Sequence, residues 1–186
     1  NLPDNPRRAM RRHLVMTFVG PDQIGIVDRV TRMILEYDGN VEESRMTRLG
    51  GEFAMLLLIS VSARQIEELN SALADLEKEG FHASVRQTEP GKAVRYEGWL
   101  TYRLEVSGAD NEGIIHSITH HLAEQNINVE IMDTNTAAAA MSGAILFSMT
   151  AIVVVPPELS YPDWRPRLDG IGDTMNVNIE VSPHTS

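Results

Sequence analysis

The chain has 186 residues, 42% of them hydrophobic, which is enough for one domain or two small ones and excludes a disordered chain. It contains no Cys, so disulfides, thiol catalysis and cysteine-bound zinc or iron–sulfur are excluded. A formal charge of −10 argues against a general grip on nucleic acid, which depends on clustered Lys and Arg.

No apolar run is long enough to cross a bilayer and no apolar signal segment is present, so the expectation is a soluble, cytoplasmic protein without a membrane partner. Arg7, Arg8, Arg11 and Arg12 cluster near the N-terminus. Residues 1–12 read as a solvated leader; a targeting remnant or a dock for an acidic partner are the sharper alternatives.

In chain order, Leu14 to Val19 is short, apolar and β-branched, which predicts a strand. Ile26, Val27, Val30, Ile34 and Tyr37 then recur at helical spacing, and Asp38-Gly39 marks a helix stop. Asn40 to Leu49 and Glu52 to Val61 read as a hairpin around Gly50-Gly51. Ser62 is expected to cap a second helix with Ile66, Leu69, Leu73 and Leu76 on its buried stripe and Gly80 at its end. Phe81 to Arg86 supplies a last strand. The order is β-α-β-β-α-β, a ferredoxin-like unit.

Residues 88–98 contain Pro-Gly among polar residues and read as a linker. Beyond it the pattern returns. Trp99 to Ser107 predicts a strand, Gly113 to Gln125 a helix, and Asn128 to Thr136 with Ala144 to Val155 a hairpin with a longer turn, Ala137 to Gly143. Pro162, Pro166, Gly170 and Gly172 predict a short or broken second helix that keeps Trp164, Leu168 and Ile171 at helical spacing. Met175 to Val181 closes the sheet.

The recurrence is a duplication. An offset of 88 residues (108 − 20) places Gly20 on Gly108, Asp22 on Asp110, Gly25 on Gly113 and Ile26 on Ile114. The same offset carries Thr31 onto Thr119, Glu36 onto Glu124 and Asn40-Val41-Glu42 onto Asn128-Val129-Glu130, without a gap. The fold class is therefore α+β: two ferredoxin-like units in tandem, residues 13–87 and 99–182, with antiparallel sheets, helices on one face and a tail at 183–186.

The repeated Asp-x-x-Gly sits where the first strand hands over to the first helix. One reading is structural: Asp22 caps the helix, and Gly25 lets the loop pass close to a neighbouring backbone. A phosphate loop fits poorly, because no second close glycine or Lys-Ser/Thr follows and the acid would repel phosphate. An α-amino acid fits better. Backbone N–H groups near Gly25 and Ile26 suit its carboxylate, and Asp22 can pair with its ammonium. Asn40 and Asn128 carry both donor and acceptor and can bridge either group.

With D-x-x-G-I at the first junction and N-V-E at the next strand, the duplicated unit resembles the ACT domain family of small regulatory modules that usually bind amino acids. GPDQIGIVDRV, NVEESRMTRLGGEF and SGAILFSMTAIVVVP are most similar to its tandem branch, the glycine cleavage system transcriptional repressor family. The resemblance implies ligand sites where two ACT units meet side by side. It places Asp22, Gly25 and Ile26 with Asn128 in one site, and Asp110, Gly113 and Ile114 with Asn40 in its twin. Serine-binding members carry Asn where this chain has Asp22 and Asp110, and some members bind no ligand and serve as joints.

His116, His120 and His121 raise a metal reading, but their counterparts Asp28, Arg32 and Met33 put His116 and His120 on a solvated face, with no third ligand in a helical register. No nucleophile–base pair can be read from the chain, and its central strands lack the aromatic residues of RNA-recognition modules. The expectation is a non-enzyme without cofactor or metal. It would bind an amino acid, act allosterically through a protein partner, and make no direct contact with nucleic acid; the alternative is a ligand-free dimerisation or scaffold module. Both faces of the third strand of each copy are apolar, Phe53, Met55, Leu57 and Ile59 against Ala54, Leu56, Leu58 and Ser60 in the first. In the second, Ile145, Phe147, Met149 and Val153 oppose Leu146, Ile152 and Val154, which predicts a covered outer face and hence a homodimer or larger assembly.

Overall fold

The computed structural model describes residues 11–89, 96–140 and 142–185. The chain divides into two units, Asn1–Lys92 and Ala93–Ser186. In the first, β1 (Arg11–Pro21), α1 (Ile26–Glu36), β2 (Asn40–Leu49), β3 (Glu52–Ser62), α2 (Ile66–Glu77) and β4 (His82–Thr88) form an antiparallel sheet of order β2-β3-β1-β4. In the second, β5 (Leu100–Ala109), α3 (Ile114–Glu124), β6 (Asn128–Ala138), β7 (Ile145–Val155), α4 (Tyr161–Met175) and β8 (Val177–Pro183) repeat it as β6-β7-β5-β8. Both units are β-α-β-β-α-β.

Each unit has its own core. Ile26, Val30 and Ile34 of α1 and Leu69, Leu73 and Leu76 of α2 pack with Leu14, Met16, Phe18, Leu57 and Ile59, so both helices cover the same sheet face. In the second unit Ile114, Ile118 and Leu122 of α3 and Trp164 and Leu168 of α4 do so over Leu104, Val106, Phe147 and Met149. Burying such a side chain fully contributes about 1.5–3 kcal/mol. At the solvent edge Arg29 of α1 donates to Glu79 beyond α2 at 2.7 and 2.5 Å, and these hydrogen bonds hold the Glu79 carboxyl below its ordinary pKa.

Gly50 and Gly51, at φ 61° and 87°, make the tight turn that a two-residue hairpin favours. The chain stop after α1 is made by Asp38 in the left-handed region, φ 55°, rather than by Gly39. A Cβ on Gly39 would instead lie 2.6 Å from the Ile34 carbonyl oxygen, so its smallness serves the close return of the chain. The Asn-Val-Glu repeat also has a structural meaning. Both ladders shift register at it, between Val41 and Glu43 and between Val129 and Ile131, which leaves Glu42 and Glu130 as bulges.

Three expectations need correction. Ser62 precedes a 3-10 turn, Ala63–Gln65, and makes no side-chain cap; α2 begins at Ile66. The second helix of the second unit is continuous over Tyr161–Met175. Pro162 lies in its first turn, where an N–H has no helical partner, so only Pro166 forfeits a donor. Ser160 and Asp163 offset this with a capping box, Ser160 N–H donating to Asp163 Oδ2 at 3.2 Å. Arg11 is not a solvated leader residue: β1 includes it, and its guanidinium donates to the carbonyls of Ser60 at 2.7 Å and Asp38 at 3.0 Å. Arg12 is also in β1, whereas Arg7 and Arg8, residues 90–95 of the expected linker and Met141 of the longer turn lie outside the described residues.

The outer sheet faces are less apolar than the strand sequences suggested. In β7 the outward positions Leu146 and Ile152 are separated by Ser148 and Thr150, whose rung neighbours are Asn135, Ser107, Asp133 and Glu105. Ile152 and Val154 are already buried in the chain. The first sheet keeps a compact outward stripe: Leu56 pairs across from Thr17, Leu58 from Val15 and Ala54 from Val19, with Leu56 49% exposed.

Candidate functional site

The two Asp-x-x-Gly loops have a common backbone. Gly25 and Gly113 are the N-caps of α1 and α3 at φ 87° and 90°, a conformation that costs a non-glycine residue strain. A Cβ at Gly25 would meet nothing within 4 Å, so the glycine is there for its dihedral and not for a close approach. Asp22 and Asp110 do not cap either helix, since neither N-terminus has a side-chain cap bond. Each is tied instead by its own N–H, Asp22 to the Gly51 carbonyl at 3.1 Å and Asp110 to the Ile145 carbonyl at 3.0 Å. Both carboxylates are left on the solvent side of a helix start. The first-turn N–H groups behind them have no carbonyl ahead of them in the helix and carry the positive end of its dipole.

In the second unit this loop opens onto a cavity of about 520 Å³ lined by Asp110, Asn111, Gly113, Ile114, Ile115, His116, Thr119 and Phe147. That volume lies within the range of small-molecule sites, about 300–1,000 Å³. Three of the residues nominated by the sequence, Asp110, Gly113 and Ile114, thus share one cavity. The loop is held from below by Asn111, whose Nδ2 donates to the Met175 carbonyl at 2.9 Å, a contact the sequence did not reveal. In the first unit Asp22, Gly25 and Ile26 share the equivalent loop, and Arg48 Nη1 donates to Asp22 Oδ2 at 3.3 Å.

The asparagines lie elsewhere. Asn40 pairs with Ser60, whereas the Asp22 loop adjoins the other end of β3, where Pro21 pairs with Glu52. At the rise of a strand the two ends are roughly 25 Å apart. Asn128, paired with Val154, is equally remote from Asp110 along β7. No unit brings its own asparagine to its own loop.

His116 and His120 are exposed and stacked, ring centroids 5.6 Å apart, and a carboxylate does follow in helical register, contrary to expectation: Glu124, one turn on, faces His120 at 3.5 Å. His121 is a core residue, 1% exposed, whose Nε2 bonds the Trp164 carbonyl at 2.8 Å. Among the described residues no three His, Cys, Asp or Glu side chains converge on a metal position. No helix among them is long and apolar enough to cross a membrane.

The fold and its doubled loop define a tandem of ferredoxin-like modules. Residues 12–85 match the ACT domain family. The glycine cleavage system transcriptional repressor of Escherichia coli (strain K12) is 38% identical over 65 residues, 35% of this chain and 34% of that protein, so the alignment spans about a third of this relative. Among solved structures, an unknown protein from Galdieria sulphuraria superposes with a TM-score of 0.80 at 31% identity, covering 94% of this chain and 99% of that one. A candidate glycine cleavage system transcriptional repressor superposes with a TM-score of 0.68 at 22% identity, over 95% and 99% of the two chains, and thereby shares the fold. The first unit is thus an ACT domain, and the second unit repeats its strand order and β-α-β-β-α-β fold.

Proposed function

We propose that the chain is a non-catalytic regulatory protein that binds an α-amino acid at its Asp-x-x-Gly loops and acts allosterically through protein–protein contact. The observation that carries this reading is the cavity at Asp110, Gly113 and Ile114, where a free carboxylate and a helix start stand side by side. A zwitterion needs both: the carboxylate takes its ammonium, and the first-turn N–H groups take its own carboxylate. The relationship to a transcriptional repressor supports a regulatory role, which an acidic chain would exert through a DNA-binding partner. Asn40 and Asn128 each begin an edge strand and are the residues that a neighbouring ACT unit would bring to a loop.

A thermal-shift panel of the protein amino acids tests the reading. At least one is expected to raise the melting temperature, with an affinity on the order of micromolar to millimolar. Replacing Asp22 and Asp110 together by Ala should remove that shift. Stabilisation by none of them at high concentration would leave the ligand-free scaffold, recognisable as a partner complex indifferent to every amino acid.

The outward stripe of the first sheet supports self-association. Val15, Val19, Leu56 and Leu58 form an apolar strip beside Glu43 and Arg45, and a rim of both signs suits a two-fold contact in which each copy meets its own image. A second copy of this chain is the occupant we assign. Light scattering should give a dimer or larger species at micromolar concentration, and Leu56→Asp with Leu58→Asp should return it to monomer. A wild-type monomer under those conditions would end this part of the reading.

A further inference from the structure

We infer that the two units are not equivalent sites: the loop of the second unit takes the amino acid first, and Arg48 holds the first loop in reserve by occupying Asp22. This rests on the amino-acid reading above and refines it.

Three differences between the copies point the same way. The first concerns the ammonium. Arg48 lies on β2 opposite Phe53, and its guanidinium bonds Asp22, whose side chain is 34% exposed. The 88-residue offset and the ladder both place Thr136 at the matching position, opposite Phe147. Threonine brings no charge, and among the described residues Asp110 makes no ion pair. A cationic amine arriving at the first loop must displace a guanidinium; at the second it meets an open carboxylate.

The second difference concerns the ligand's carboxylate. The first turn of α1 carries Asp28, whereas that of α3 carries no acid and has His116 in its place. Asp28 puts negative charge at the helix start where a bound carboxylate would sit, although Arg32 one turn on pairs with it. His116 lines the second cavity without that repulsion.

The third is the loop itself. Asn111 anchors the second loop to the Met175 carbonyl, so that loop needs little ordering on binding. Its counterpart Gln23 makes no such bond among the described residues. The apolar lining of the cavity, Ile114, Ile115 and Phe147, further selects an amino acid with an aliphatic side chain.

The Asp22–Arg48 pair is exposed, so its competitive effect is bounded at about fivefold in affinity. The test is amide NMR on the full-length chain, titrated with each protein amino acid in turn. Residues 111–119 should respond at lower concentration than residues 23–31, most strongly for an aliphatic amino acid. Arg48→Thr should tighten the binding seen at the first loop by about fivefold and leave the second unchanged, and Thr136→Arg should weaken the second by a similar factor. Two loops that titrate together in the wild type, a first loop that titrates at the lower concentration, or an Arg48→Thr chain that behaves as wild type would overturn the inequivalence while leaving the amino-acid reading standing. Silence of both loops toward every amino acid would overturn both.

Discussion

Replacing Trp164 by Ala is expected to destabilise the second unit by about 3–5 kcal/mol, the cost of deleting a buried aromatic side chain and leaving a cavity. Trp164 is fully buried and the largest side chain in the core of that unit. Tyr102 and Tyr161 meet its ring edge-on with centroids 5.5 Å away, so the loss includes two aromatic pairs. Its backbone carbonyl also receives His121 Nε2, and a helix that sags into the cavity would strain that buried bond. The first core, around Leu57 and Phe18, shares no residue with it. The variant should therefore melt in two steps by circular dichroism. Trp99, the only tryptophan left, lies in the second unit, and its fluorescence should follow the step at lower temperature. One transition, shifted by less than a few degrees, would show that the ring contributes far less than its burial implies.

That α4 carries such a residue was only half legible in the sequence. The spacing of Trp164, Leu168 and Ile171 pointed to a helix, but two prolines and two glycines argued for breaking it. The helix persists because only Pro166 costs it an interior hydrogen bond, and its start is reinforced by the Ser160–Asp163 capping box. Pro162 occupies a first-turn position, and Gly172 is needed where the strand returns, since a Cβ there would lie 2.8 Å from the Val177 carbonyl. The duplication, by contrast, could be read directly, because residues under the same backbone constraint recur at one offset. Gly25 and Gly113 are such a pair, fixed by one left-handed dihedral.

What stayed hidden was everything that depends on register across strands. Arg48 and Asp22 stand 26 residues apart in the sequence and meet only because the Gly50-Gly51 turn returns β3 beside the end of β1. Arg11 looked like one of four arginines in a basic leader, yet it bridges two carbonyls from distant segments. The apolar outer faces were overestimated for the same reason. A strand sequence shows its own residues, not the Asp133 or Glu105 that flank Thr150 on the finished sheet.

Gly108→Ala is the substitution expected to join stability to binding. Gly108, one residue before the end of β5, makes its last pair with β8 opposite Val177, and a Cβ on it would lie 2.7 Å from the Asn176 carbonyl oxygen and 2.8 Å from the Val177 Cα. Both obstacles are backbone, at a corner already committed to a left-handed Asn176, φ 52°. At Gly20 the corresponding obstacle is a side chain, Phe81, which can turn only by giving up its stack on Phe18. The corner after α4 must therefore move, at a cost of about 1–3 kcal/mol by analogy with other overpacked sites. The Met175 carbonyl that anchors Asn111 belongs to the same corner, so the floor of the Asp110 loop shifts with it. The amide signals of residues 111–119 should then lose their sensitivity to the amino acid or need a higher concentration to show it, while residues 23–31 keep theirs. Chemical denaturation should show the loss of stability in the second unit alone. A Gly108→Ala chain with wild-type stability and an unchanged second-loop titration would show that the corner yields freely, and that the loop does not depend on it.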